Sequence, residues 1–67
     1  ARRLRVLNDR ERAVLVAVAG GMSNAEAGRS LGMSVATVKA HVSSILAKLG
    51  MGNRVQAAIL AHDAGWA

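Results

Sequence analysis

The segment from Val35 to Leu49 constrains the fold most, because its apolar residues recur every three or four positions and never alternate. Ser34 precedes it and Gly50 follows it, which predicts an N-cap and a left-handed C-terminal turn residue. We therefore expect one regular helix. Its expected core side comprises Val35, Val38, Val42, Ile45, Leu46 and Leu49.

Capping residues and glycines predict three further helices. With their caps, they are expected from Asn8 to about Ala19, from Ser23 to about Leu31, and from Asn53 to about Ala64. The second opens with the capping-box pattern S-x-x-E of Ser23 and Glu26. The expected fold is an all-α four-helix bundle over residues 8–67, preceded by a linker or N-terminal arm over residues 1–7.

The connection between the second and third helices is very short. A helix that ends in Gly32, followed by Met33 and the cap Ser34, is typical of the tight turn of a helix-turn-helix. We expect Met33 to fill the corner between the two helices. The third helix would then be the recognition helix.

Charge points to an anionic partner. The 67 residues contain nine Lys and Arg against four Asp and Glu, which gives a net charge of +5. No carboxylate occurs between Ala27 and His62, although several basic residues do. This bias favours nucleic acid over an acidic substrate.

Catalytic and metal-binding patterns are missing from the sequence. It has no cysteine, its two histidines are far apart, and its four carboxylates are scattered. We therefore expect neither an enzyme nor a metal or cofactor site. The longest uncharged apolar run, residues 13–22, is too short for a membrane span, which needs about 20 residues. The expected location is the cytoplasm, with no membrane partner.

The outer side of the third helix carries small residues where long charged ones are usual. This side comprises Ala36, Lys39, Ala40, Ser43, Ser44 and Ala47, so that Lys39 is its one long charged residue. The major groove of B-DNA is about 12 Å wide and admits a helix with such a slim side. Lys39 would contact a guanine edge or a phosphate, Ala36 or Ala40 a thymine methyl, and Ser43 either base type.

Thr37, His41 and Lys48 lie along one shoulder of this helix and would contact the DNA backbone. The small-residue side also has two simpler explanations, which are high helix propensity and docking to another protein. From the helix alone these alternatives stay open.

Three stretches resemble one known family. LNDRERAVL, AGGMSNAEAGRSLGMSVATVKAHVSSILAKLG and NRVQAA are similar to the LuxR-type, or GerE-like, DNA-binding domain of quorum-sensing regulators and of NarL- and FixJ-like response regulators. The resemblance implies a bacterial transcription regulator that binds double-stranded DNA as a homodimer. It also implies an N-terminal receiver or ligand-binding domain in the full-length protein, and it admits RNA polymerase as a further partner.

The same resemblance assigns roles to individual residues. It places Thr37, Lys39, Ala40 and Ser43 at the groove, with His41, Lys48 and Arg54 near phosphates or supporting the site. It places Ser23 and Asn24 close to the DNA backbone, where a helix N-terminus suits a phosphate. The chain departs from the family pattern at Ala13, Ala17, Ala27 and Gly28, and we expect these smaller residues to cost stability.

One side of the fourth helix is a candidate dimer face. It comprises Gln56, Ile59, Leu60 and Asp63, and an amphipathic side of this kind can pair with its own copy about a two-fold axis. Alternatively, Ile59 completes the small core. Trp66, the only aromatic residue, is expected to fold back over the core.

Two other functions share some of these features. A sigma-factor region four module has a similar helix-turn-helix, but N-R-x-x-A-A in the fourth helix and the histidine of V-K-A-H favour the LuxR-type domain. A protein-interaction or dimerisation module would use the small-residue side as a docking surface.

Overall fold

The protein folds into four α-helices in a computed structural model that describes residues 2–66, except for the side chain of Arg2. They are α1 (Asp9–Ala19), α2 (Asn24–Leu31), α3 (Val35–Leu49) and α4 (Arg54–Asp63). A short 3-10 helix (Arg2–Val6) precedes them. Over the described residues there is no strand, and the expected all-α fold is confirmed.

Each α-helix begins where its capping residue predicts. Side-chain oxygens of Asn8, Ser23, Ser34 and Asn53 accept hydrogen bonds from backbone N–H groups in the first turns of α1 to α4. Gly32 ends α2 and Gly50 ends α3, both with a left-handed backbone that glycine adopts without strain. Local capping chemistry therefore sets the helix boundaries.

The core forms around α1, which packs against each of the other three α-helices. Its buried residues include Val14 and Leu15 of α1, Val38 and Ile45 of α3, and Ala61 of α4. Met33 is half-buried against this core at the corner of the helix-turn-helix, as expected. The apolar sides of α1, α3 and α4 thus share one small interior.

Val35 is not part of that core, contrary to the sequence-based expectation. It is the first residue of α3, and its exposed fraction is 43%. Helical periodicity identifies which residues share a side, whereas burial also needs a neighbouring element to cover them. In the first turn of α3 such cover is incomplete.

The N-terminal segment packs against the domain over its described residues. Leu4 is 1% exposed and belongs to the core, and the Arg3 Nη2 atom donates to the Leu49 carbonyl oxygen over 2.8 Å. Arg3 thereby satisfies a carbonyl at the C-terminus of α3, which has no partner within the helix. Arg3 and Leu4 therefore pack against the helices, while the expectation that residues 1–7 are a linker or N-terminal arm stays a prediction. Ala1 lies outside the described residues.

Gly28 has a packing role that the sequence did not predict. A Cβ atom at this position would lie 2.5 Å from the Met33 carbonyl oxygen, and the Met33 N–H donates to the Gly28 carbonyl oxygen over 2.8 Å. The turn backbone approaches too closely for a side chain. This close approach explains why a glycine occupies the position, whereas its expected cost in helix stability stays a prediction.

The C-terminal residues tie α4 to α1. Trp66 is half-buried against the core, as expected, and the Arg12 guanidinium lies 4.4 Å from its ring centroid. The His62 Nε2 atom lies 2.8 Å from the Ala19 carbonyl oxygen, at the end of α1. Within residues 2–66, no helix is long and apolar enough to cross a membrane.

Candidate nucleic-acid interface

The outer side of α3 is open to solvent. Its exposed residues are Ala36, Thr37, Lys39, Ala40, Ser43 and Ala47. No other element within residues 2–66 covers this side, so the small residues there do not serve packing among the described residues. The helix as a whole contains no carboxylate.

The start of α3 is held by its own hydroxyl groups. Ser34 Oγ accepts a hydrogen bond from the Thr37 backbone N–H over 3.1 Å and lies 2.9 Å from Thr37 Oγ1. These bonds fix the backbone of the first helical turn. Further along, His41 is half-buried rather than fully exposed.

A buried carboxylate of α1 lies against the shoulder of α3 that carries Lys48, and the sequence interpretation missed it. Glu11 of α1 is 2% exposed. Its Oε1 atom lies 2.7 Å from Lys48 Nζ and accepts the Asn8 N–H over 2.9 Å, while Oε2 accepts the Ser44 hydroxyl over 2.6 Å. One side chain thus caps α1 and binds two residues of α3.

This arrangement changes the roles expected for Ser44 and Lys48. Ser44 was expected on the outer side, but its hydroxyl donates inward to Glu11. The Lys48 side chain is 39% exposed and its ammonium group pairs with the same carboxylate. In this structure Lys48 links α3 to α1 through its ion pair with Glu11. A contact between Lys48 and a phosphate stays a prediction.

The buried carboxylate stays ionised at neutral pH. Burial by itself would raise the pKa of Glu11, because it disfavours the charged form. Hydrogen bonds from Lys48, Ser44 and the Asn8 backbone outweigh burial and lower the pKa from 4.5 to about 2. In the folded domain Glu11 is therefore negatively charged at any pH well above about 2.

The N-terminus of α2 is braced by α4. The Arg54 Nη1 atom donates to Asn24 Oδ1 over 2.8 Å, and its Nη2 atom lies 3.4 Å from the Met22 carbonyl oxygen. Ser23 caps α2 through the Glu26 N–H, and the Glu26 carboxylate accepts the Ser23 N–H in return. The structure therefore brings Ser23, Asn24 and Arg54 together.

Apolar surface is also exposed outside α3. An open groove of about 490 Å³ between α1 and α2 has Ala13 and Ala17 among its lining residues. On α4, Ile59 is 56% exposed and lies outside the core cluster. The alternative that Ile59 completes the core is therefore wrong.

Among the residues described, no group of three or more His, Cys, Asp or Glu side chains could hold a metal ion.

Comparison with known proteins decides the family. The model of the family described as bacterial regulatory proteins, luxR family, matches residues 5–61, which is most of the chain. The chain belongs to the LuxR family of bacterial regulatory proteins. Within this LuxR-family domain, α2 and α3 form the DNA-binding helix-turn-helix, and the match decides against a sigma-factor module.

Individual relatives are similar over the same part of the chain. Transcriptional regulatory protein LiaR from Bacillus subtilis (strain 168) is 43% identical over 56 residues, which cover 84% of this chain and 26% of LiaR. Response regulator protein VraR from Staphylococcus aureus (strain Mu3) is 41% identical over 58 residues, covering 87% of this chain and 28% of VraR. The LuxR-family domain thus spans about a quarter of the length of these relatives.

Acid should destabilise the domain through Glu11. Because its pKa is lowered in the folded state, Glu11 stabilises the fold at pH values above about 4.5, and this contribution is lost as the pH falls towards about 2. The shift corresponds to on the order of 3 kcal/mol in the free energy of unfolding at neutral pH. Urea unfolding between pH 7 and pH 2, followed by Trp66 fluorescence, measures it.

Glu26 supplies a matched control, because it is also a capping-box glutamate but is exposed. Glu11→Gln should lower the free energy of unfolding at pH 7 and flatten its pH dependence. Glu26→Gln should change both much less. Equal pH dependence in the wild type and the Glu11→Gln variant would show that the buried carboxylate does not stabilise the fold.

Proposed function

We propose that this domain binds double-stranded DNA sequence-specifically, with α3 in the major groove. The observation that carries the proposal is the exposed outer side of α3, which combines small residues with Lys39 and no carboxylate. A helix of this shape enters a groove closely, because no long side chain holds its backbone away from the base edges.

Each exposed side chain of this surface suits one kind of contact. Lys39 donates to a guanine edge or a phosphate, Ala36 and Ala40 contact thymine methyl groups, and Ser43 bonds to either base type. Thr37 and His41 contact the backbone at the edge of the groove, which sets the register of the helix on the duplex.

The N-terminus of α2 provides a second backbone contact. Free N–H groups and the helix dipole favour a phosphate beside Ser23 and Asn24. Arg54 supports this contact by holding Asn24, and it brings a positive charge to the same place. The exposed part of the Lys48 side chain is proposed to reach a phosphate as well, while its charge is largely balanced by Glu11.

The domain is proposed to be one part of a longer regulator. One relative is named a response regulator, and the chain spans about a quarter of its length. We propose an N-terminal receiver or ligand-binding domain, a location in the cytoplasm with the bacterial chromosome, and no catalytic role for this domain. Contact with RNA polymerase remains a prediction from the family resemblance.

The exposed side of α4 is proposed as the dimer face. Ile59 and its exposed neighbours Gln56 and Asp63 flank the half-buried Leu60, so an apolar strip has a polar rim. Two copies related by a two-fold axis would bury this strip and present two recognition helices to an inverted repeat.

Charge reversal on α3 tests the groove assignment. Lys39→Glu removes a proposed donor and places a carboxylate against the phosphates, so duplex affinity should fall more than about tenfold. Arg10→Glu makes the same charge change at an exposed position of α1 and is the matched control, which should bind nearly as the wild type does. Fluorescence anisotropy with a labelled promoter-sized duplex measures both.

The salt response separates DNA binding from protein docking. Wild-type affinity should fall steeply as salt rises, because neutralised phosphates release counterions. The groove assignment would be contradicted if the Lys39→Glu variant bound the duplex as tightly as the wild type does. A wild-type affinity that does not change with salt would also contradict it, and either result would favour a protein-docking surface.

The dimer face is tested by Ile59→Arg. This change places a charge in the proposed apolar contact and should weaken binding to a duplex with two inverted half-sites, while leaving single half-site affinity within about twofold. Val6→Arg, at another exposed aliphatic residue, is the control and should bind both duplexes as the wild type does. A dimer through α4 would be contradicted if the Ile59→Arg variant bound the duplex with two half-sites as tightly as the wild type does.

A further inference from the structure

We infer that Val35 is a specificity-determining residue that contacts the methyl group of a thymine in the target site. The inference rests on the proposed binding of α3 in the major groove. This base contact is new, because helical periodicity placed Val35 on the core side of α3 and the family resemblance assigned it no role.

The exposure of Val35 is the first observation. It is an aliphatic residue with a 43% exposed side chain on a helix whose other exposed residues are small or polar. It is also the first residue of α3. In helix-turn-helix proteins the N-terminal residues of the recognition helix are the ones that contact base edges.

The chemistry of the major groove suits an aliphatic side chain at this position. The C5-methyl group of thymine is the apolar feature of the major-groove base edges, and an aliphatic side chain against it excludes water from both surfaces. Valine is branched at Cβ and has one strongly preferred rotamer in a helix. Little side-chain entropy is therefore lost when its methyl groups meet a fixed partner.

The backbone that carries Val35 is held in place. Ser34 caps α3 through the Thr37 N–H, and the two hydroxyl groups lie 2.9 Å apart. Both residues flank Val35 within the same turn. A contact made by Val35 therefore has a defined position relative to the rest of α3.

Lys39 locates the thymine. Residues four apart on a helix are neighbours on its surface, so Val35 and Lys39 share one edge of α3. One helical turn rises about 5.4 Å, and base pairs are about 3.4 Å apart. The thymine should thus lie within about two base pairs of the position that Lys39 contacts.

The test begins with selection of duplexes from a random pool by the wild-type chain and by Lys39→Ala, which locates the base pair that depends on Lys39. Each thymine of the selected site is then replaced by uracil, which removes only the methyl group. One replacement within about two base pairs of that position should weaken wild-type binding roughly three- to fivefold.

Val35→Ala should abolish this discrimination, so that thymine and uracil duplexes bind within about 1.5-fold of each other. Val6→Ala, at an exposed valine outside the helix-turn-helix, should keep the wild-type ratio. Trp66 fluorescence confirms that each variant is folded. Val35→Thr, which keeps the branched shape and replaces one methyl by a hydroxyl, serves as a second variant and should give an intermediate ratio.

The possible outcomes separate this inference from the proposed function. If the pool yields no enriched sequence, sequence-specific binding fails, and the Val35 contact fails with it. If the pool yields a site in which no nearby uracil matters, or in which Val35→Ala discriminates as the wild type does, only the Val35 contact is overturned.

Discussion

The buried carboxylate of Glu11 is the interaction on which the position of the recognition helix depends. An unpaired charge in a protein interior is strongly unfavourable, and the bonds from Lys48, Ser44 and the Asn8 N–H compensate for the burial of the ionised Glu11. The first two of these partners belong to α3. Apolar packing brings α3 against α1, and this directional set of bonds selects one rotation of α3 about its own axis.

That rotation divides α3 into three functional sides. Val38, Ile45 and Leu49 face the core, and Ser44 and Lys48 face the carboxylate of α1. The remaining side, which has Ala36, Ala40 and Ala47 at its centre and Lys39 at one edge, is left to solvent. Small residues on that side give the domain no internal packing, and they suit close approach to a duplex. Membership of the LuxR family agrees with this use of the helix-turn-helix.

Local signals made the helices predictable, whereas contacts between distant residues were not. Capping residues, glycine and helical periodicity act within a few positions, so Ser23, Ser34 and Gly50 mark helix ends directly in the sequence. Glu11 and Lys48 are 37 positions apart, and nothing in their local sequence shows that they meet. The sequence places Glu11 in the first turn of α1, and its spacing from Asn8 is that of a capping box, but neither signal indicates that the carboxylate is buried.

Positions where burial depends on neighbouring elements were also predicted less well. Val35 lies on the apolar arc of α3 but is largely uncovered, while Leu4 lies in a segment without helical periodicity and is buried. Gly28 looks like a weak helix residue until the carbonyl of Met33 is placed beside it. The groove contacts and the α4 dimer face depend on molecules outside the chain, so they remain predictions.

The most direct measurement is a crystal structure of the domain bound to a duplex selected from a random pool. The account predicts that Lys39 and Ser43 lie within hydrogen-bonding distance of base edges or phosphates in the major groove, and that the Lys48 ammonium remains on Glu11. A complex in which the outer side of α3 faces solvent, or packs against a second protein chain, would contradict it.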